Sequence, residues 1–192
     1  EELKSAMVRK GNLFILPSVR TLADLRYYKP KHVEYLINLA TGIFDIVIVD
    51  AGYYPNSGLY IGALNATKHR YMVATQQESC RSCFEITRSQ ILKVLEIDLD
   101  TIMLIINRYD DQIPNTYRLA GEVYKMVQAV SLPNVPGAFW QAEEQRKTLR
   151  GMDEAYDMQL NGLIRIIAGQ LGFEYQPKLK KKQNVFSALF KK

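Results

Sequence analysis

Two apolar runs end in polar residues that could do chemistry. Phe44-Asp45-Ile46-Val47-Ile48-Val49-Asp50 closes on a carboxylate, and Ile105-Ile106-Asn107-Arg108 closes on an amide followed by a guanidinium. A buried strand ending in Asp50 delivers its carboxylate to the carboxyl edge of a sheet, where open α/β folds bind ligands. The same aspartate could instead cap the loop that follows. Asn107 can offer a purine edge both a donor and an acceptor, or it can close an Asx turn.

The elements that must position these ends alternate between strand and helix. Leu13-Phe14-Ile15-Leu16 reads as a buried strand, stopped by Pro17 and preceded by a helical stretch that ends at Gly11-Asn12. Thr21 to Tyr28 reads as helix. Pro30 starts another, with Val33, Leu36, Ile37 and Ala40 at helical spacing and Gly42 as its stop. Phe44 to Asp50 is apolar on both faces, as suits a parallel sheet covered by helices on each side. Ser57 to Thr67 is loop and helix, and Tyr71 to Thr75 a strand. A helix follows from Glu78 to Leu95 with Phe84, Ile91 and Leu95 inward, then a strand from Thr101 to Asn107. Pro114 to Val130 reads as helix, with Leu119, Val123, Met126 and Val130 as its stripe. A short strand near Val135 to Phe139 and helices over Glu143–Arg150 and Asp153–Leu171 close the pattern. Such alternation predicts the α/β class, a mostly parallel doubly wound sheet with helices on both faces. Residues 1–176 form that domain, and Pro177 opens a separate tail over 177–192.

Charge sets the tail apart. The chain carries 25 basic and 20 acidic residues, but Lys178, Lys180, Lys181, Lys182, Lys191 and Lys192 all lie in the last fifteen. Without those six lysines, 19 basic face 20 acidic residues, so no general nucleic-acid-binding face is implied. Val185, Phe186, Leu189 and Phe190 share one helical face between the lysines. A helix this short forms only against something, and an anionic membrane offers both an apolar interface and attraction for lysine. No apolar run approaches the roughly 18 residues of a membrane span, and no signal peptide is visible, so the cytoplasm is the expected compartment.

Cys80-Arg81-Ser82-Cys83 follows a strand and opens a helix, the placement of a redox pair, although the order of elements is wrong for a thioredoxin. Zinc needs about four ligands, and His32 and His69 are the only histidines. The plain alternative is a helix start with Cys83 partly buried.

Four blocks, "NLFILPS", "FDIVIVD", "YMVATQQESCRSCFEI" and "MLIINRYD", resemble successive blocks of MinD/ParA-type P-loop ATPases in order, over roughly residues 11–172. The resemblance implies that Asp50 is the Walker B aspartate, holding Mg²⁺ through water beside the phosphates of ATP. It implies that Asn107, with Arg108 beside it, recognises adenine, and that Gly52 belongs to a switch responding to the γ-phosphate. Residues after the last strand would line the base, which points to Phe139, Trp140 and Gln141, where the family often has proline. The family's Lys-Gly-Gly-x-Gly-Lys-Thr loop is absent, and no Gly-Lys pair occurs in the chain. That loop supplies the phosphate-binding N–H groups, a lysine and a Mg²⁺-binding hydroxyl. In that family the loop lies N-terminal to the block matching "NLFILPS", so the loop and its strand are expected upstream of Glu1, and Phe44 to Asp50 is expected to have an unpaired edge.

The resemblance further implies a homodimer formed around ATP. The tail (Lys180, Lys181, Lys182, Val185, Phe186, Leu189 and Phe190) would act as a membrane-targeting segment on the cytoplasmic side. The partner would come from a pilus or secretion system, as for TadZ/CpaE-like regulators, or from a division system. Hydrolysis is expected of a chain carrying the loop and not of these 192 residues alone. The alternatives are a non-enzymatic adaptor of degenerate ATPase fold, and a receiver-like domain phosphorylated on Asp50. The latter lacks the further acids and the strand-end lysine it needs, since the relevant strands end Leu16-Pro17-Ser18 and Asn107-Arg108.

Overall fold

The computed structural model describes residues 2–17, 21–113 and 119–177. The basic tail and the first residues of the helix expected from Pro114 lie outside them. The chain divides into two compact units. One comprises Glu1–Met72, Gln77–Met103 and Tyr117–Val127, and the other Val73–Gln76, Leu104–Thr116 and Gln128–Lys192.

The first unit opens with a short helix α1 (Glu2–Ser5) and an antiparallel hairpin, β1 (Val8–Lys10) and β2 (Leu13–Ile15), with Val8 opposite Ile15. Gly11, at φ +62°, supplies the left-handed turn. Gly11-Asn12 therefore turns a hairpin and does not end a helix. Leu13–Ile15 is an exposed ribbon strand and not a buried one, because its partner comes from the residues just before the turn. Phe14 reaches Phe44 at 5.2 Å between rings, and the Lys4 ammonium lies 5.8 and 5.7 Å from the two ring centres.

Helices α2 (Pro30–Thr41) and α3 (Gly58–Ala66) form the core of this unit. Pro30 stands in the first turn of α2, where its missing N–H costs nothing. Ser57 caps α3, its Oγ accepting from the Tyr60 N–H at 3.1 Å. Val33, Ile37 and Ala63 are buried between the helices. The contact is close because α3 turns glycines toward α2. A Cβ on Gly62 would meet the Pro30 carbonyl oxygen at 2.6 Å and the Val33 Cβ at 2.7 Å.

Phe44 to Asp50 departs from the strand expected there. The segment is not hydrogen-bonded into either sheet. Its residues still alternate. Val49, and Ala51 beyond the run, pack on the α2–α3 core. Ile46 and Ile48 point outward, and Ile48 is 83% exposed. One apolar face is docked and the other lacks cover among the described residues.

Helix α4 (Glu78–Thr87) passes into a wider π turn, Arg88–Leu92. The turn shifts the inward position to Leu92, which is buried, while Ile91 and Leu95 are only partly so. Phe84 packs edge-on against Tyr124 at 5.0 Å, at the end of a second π turn, Leu119–Tyr124.

The second unit carries most of a three-stranded parallel sheet in the order β3 (Arg70–Ala74), β4 (Ile102–Tyr109), β5 (Val127–Pro133). Leu104, Ile105 and Ile106 are all buried, as in a strand covered on both faces. Helices α5 (Pro136–Glu144) and α6 (Glu154–Gln170) follow. Asp153 caps α6, its carboxylate accepting from the Tyr156 N–H at 2.8 Å.

Two expected boundaries are corrected here. The helix expected to run to Val130 gives way to β5 at Val127, because Val130 and Leu132 are buried on alternate residues, a period of two and not 3.6. The strand expected at Val135–Phe139 is replaced by α5, which Pro136 in its first turn starts. The helix expected at Glu143–Arg150 is not formed, since α5 ends at Glu144 and residues 145–150 are turn and irregular backbone.

Candidate functional site

Asp50 stands at the end of the extended segment, exposed. Its Oδ1 accepts from the Gly52 N–H at 2.9 Å, and Gly52 takes φ +69°. The loop-capping geometry weighed for Asp50 is therefore present, and it joins the two residues expected to serve metal and switch. One carboxylate oxygen is engaged with this N–H. Among the described residues, no three His, Cys, Asp or Glu side chains converge on a metal site.

In the other unit, β4 carries Asn107 to the carboxyl end of the sheet. Asn107 Oδ1 accepts from the Arg108 N–H at 3.0 Å, and Arg108 adopts a left-handed φ of +53°. The turned backbone sends the Arg108 guanidinium over the Phe139 ring, 5.7 Å from its centre. Phe139 in turn meets Trp140 edge-on at 5.9 Å. Trp140 is 67% exposed. Four of the predicted residues thus gather around one strand end. The two aromatics stand in the first turns of α5, whereas the residues directly after β5 are Asn134, Val135 and Pro136.

Two further positions went unnoticed in the sequence. Gln76, two residues past β3, donates its amide to the Asp110 carbonyl at 2.9 Å and accepts from the Asp110 N–H at 2.7 Å. The Asn134 N–H donates to the Tyr109 carbonyl at 2.8 Å, fixing the segment after β5 to the end of β4. A polar amide just past a strand, as in Thr75-Gln76-Gln77, was the available signal for the first. The second is a backbone contact with no side-chain signature.

The cysteines also differ from the plain expectation. Cys80 is half-buried, whereas Cys83, expected to be partly buried, is exposed.

No family model matches the chain, and no curated protein matches it. Among solved structures, it is similar to a ParA family ATPase from Chlorobium tepidum TLS, with a TM-score of 0.68 at 15% identity. The match covers 86% of this chain and 69% of that one. The likeness shows the α/β fold of that ATPase. No helix among the described residues is long and apolar enough to cross a membrane.

Proposed function

We propose that this chain is the nucleotide-responsive part of a MinD/ParA-like ATPase that organises a structure at the membrane. The observation that carries the reading is Asn107 at the carboxyl end of β4, in a chain with a ParA-type fold. Its Oδ1 is turned to Arg108, and its amide N–H₂ has no acceptor among the described residues. A planar donor beside Arg108, Phe139 and the exposed Trp140 suits an adenine base, which offers ring nitrogens and a stacking face. Asp50 suits Mg²⁺ held through water, since its carboxylate is exposed and only one oxygen is engaged. ATP would supply the γ-phosphate whose presence Gly52 senses, through the N–H it now gives to Asp50.

The phosphates are the part these residues do not fit. They need a glycine-rich loop, and we propose that an upstream strand brings it and pairs beside Phe44–Asp50. The extended, half-docked state of that segment supports this placement. ATP would then draw two copies together. Each would present a tail with Lys180 to Lys182 and the apolar Val185, Phe186, Leu189 and Phe190, and two weak anchors bind a membrane far better than one. Assembly of a pilus or secretion apparatus, or division-site placement, is the class of process this serves.

The test uses a chain extended upstream through an in-frame Gly-Gly-x-Gly-Lys-Thr segment. It should bind ATP with Mg²⁺ and hydrolyse it. Asn107→Ala should weaken ATP binding and blunt its preference over GTP, and Asp50→Asn should remove the Mg²⁺ dependence. Absence of ATP binding with the loop intact would overturn the reading and favour a tethering adaptor.

A further inference from the structure

Outside the nucleotide reading, the chain places its only two cysteines on one turn of α4 with unequal access to solvent. Cys80 is half-buried and Cys83 exposed, and neither is in a disulfide. Arg81 lies between them and pairs with Glu78 at 3.6 Å. Behind the pair stands Tyr124, only 1% exposed, whose side chain is hydrogen-bonded to Cys80. Its ring packs edge-on against Phe84 at 5.0 Å. A buried phenol aimed at one sulfur is a specific arrangement. It holds Cys80 inward while Cys83 faces any reagent in solution.

We propose that Cys80 and Cys83 are a reversible redox pair that reacts with low-molecular-weight disulfides and closes a disulfide within the first turns of α4. Residues three apart on a helix have Cα atoms about 5 Å apart. A disulfide tolerates roughly 4.4–6.8 Å, so the backbone need not break. The Cβ atoms of such a pair lie about 5–6 Å apart in a regular helix, against roughly 3.5–4.5 Å in a disulfide. Closure therefore tightens the turn, and a strained disulfide is readily reduced, which makes the couple a switch and not a staple.

The exchange balances in two steps. The Cys83 thiolate attacks one sulfur of the small disulfide, whose S–S bond breaks. The expelled thiolate takes up the proton that Cys83 released. Cys80 then loses its proton and attacks the Cys83 sulfur of the mixed disulfide. The second small thiolate leaves and takes up that proton. Two protein thiols are oxidised by two electrons, and one disulfide is reduced to two thiols.

The experiment treats the 192-residue chain with glutathione disulfide and follows intact mass and alkylatable thiols. The expected product is a monomer about 2 Da lighter than the reduced chain, with both thiols blocked and both restored by dithiothreitol. Cys80→Ser should accumulate a single glutathione adduct on Cys83, and Cys83→Ser should react about tenfold more slowly, because Cys80 is shielded. Tyr124→Phe removes a hydrogen bond to the reduced sulfur and should shift the exchange equilibrium toward the disulfide by about two- to tenfold. A doubly adducted chain, a disulfide between two chains, or two thiols still alkylatable would overturn the proposal. So would equal rates for the two serine variants.

Discussion

Gln76 and Asp110 are joined by two hydrogen bonds, one in each direction. The Gln76 amide nitrogen donates to the Asp110 carbonyl at 2.9 Å, and the Asp110 N–H donates to the Gln76 amide oxygen at 2.7 Å. A side chain past β3 thus imitates a strand partner for the residue just past β4. It extends the sheet's pairing by one step and sets the direction in which Asn107 to Asp110 leaves the strand. Gln76→Leu leaves two half-buried backbone groups unpaired and should lower unfolding free energy by about 1–3 kcal/mol. Gln76→Glu keeps the acceptor but sets a second acceptor against a carbonyl. Its deficit should shrink as pH falls through the carboxylate range and the protonated acid recovers a donor. Denaturant titrations at neutral and acid pH check both, and a pH-independent deficit for Gln76→Glu would count against the pairing.

The same substitution should act with opposite sign on two helices. Alanine gains about 1 kcal/mol over glycine inside a helix. At Gly162 in α6 the new Cβ would meet the Val130 Cγ1 at 3.8 Å, ordinary contact, so Gly162→Ala should raise stability by about 0.5–1 kcal/mol. At Gly62 the new methyl would sit 2.6 Å from the Pro30 carbonyl oxygen and 2.7 Å from the Val33 Cβ. The oxygen belongs to backbone and cannot turn aside. Overpacking of about 1–3 kcal/mol exceeds the propensity gain, so Gly62→Ala should be destabilising overall. Urea midpoints of the two variants, one moving up and the other down, would bear this out.

The helix contacts were legible in the sequence and the sheet only partly so. Val33, Ile37 and Ala40 announced the inward face of α2, and the helix read over Asp153–Leu171 agrees with α6. Both readings are local. Val123, Met126 and Val130 deceived, because two short elements of different period happen to bury residues at helix-like intervals. Only Val130 and Leu132, two apart, betray β5. Phe44 to Asp50 has the composition of a central strand, but composition cannot supply the neighbour a strand needs. Of the candidate site, Asp50 and Asn107 were visible as polar ends of apolar runs. Gln76 was not, since its role depends on a residue 34 positions away.

Tyr124 should make the fold sensitive to alkali. Burial first, and then its hydrogen bond with Cys80, raises its pKa above the ordinary 10.0. The folded state therefore keeps this proton at a pH where the unfolded state has released it. Stability from this source is fully present below about pH 10 and is lost as pH rises toward the folded-state value. The loss can reach about 1.4 kcal/mol per pH unit. Tyr60, Tyr71 and Tyr156 are shifted in the same direction by burial and add to the slope. Above pH 10, Tyr124→Phe should unfold with a shallower pH dependence than the parent chain. Parallel curves would show that the fold does not hold this hydroxyl protonated.

The tail should bind vesicles containing anionic lipid and release them as salt rises, each lysine near the surface contributing about 1 kcal/mol. Phe186→Asp, which puts charge on the apolar face, should weaken binding more than Lys192→Ala. Co-sedimentation with vesicles is the measurement, and equal binding by a chain ending at Pro177 would rule the tail out as the anchor.

Ile48 separates the extended segment as it stands from the strand it is proposed to become. At 83% exposure its side chain buries almost nothing here, so Ile48→Lys should leave the unfolding midpoint of the 192-residue chain within about 0.5 kcal/mol of the parent. The parent's open, apolar edge at Ile46 and Ile48 should favour self-association, and a lysine on that edge should suppress it. In a chain that includes the upstream strand and phosphate loop, the same position would lie in a covered sheet. There Ile48→Lys would bury an unpaired ammonium and should cost several kcal/mol. Sedimentation and denaturant titration of the variant in both chains measure the contrast. If the lysine is tolerated equally in both, this face is not covered as in a central strand, and the proposed insertion of Phe44–Asp50 into a covered sheet beside an upstream strand is wrong.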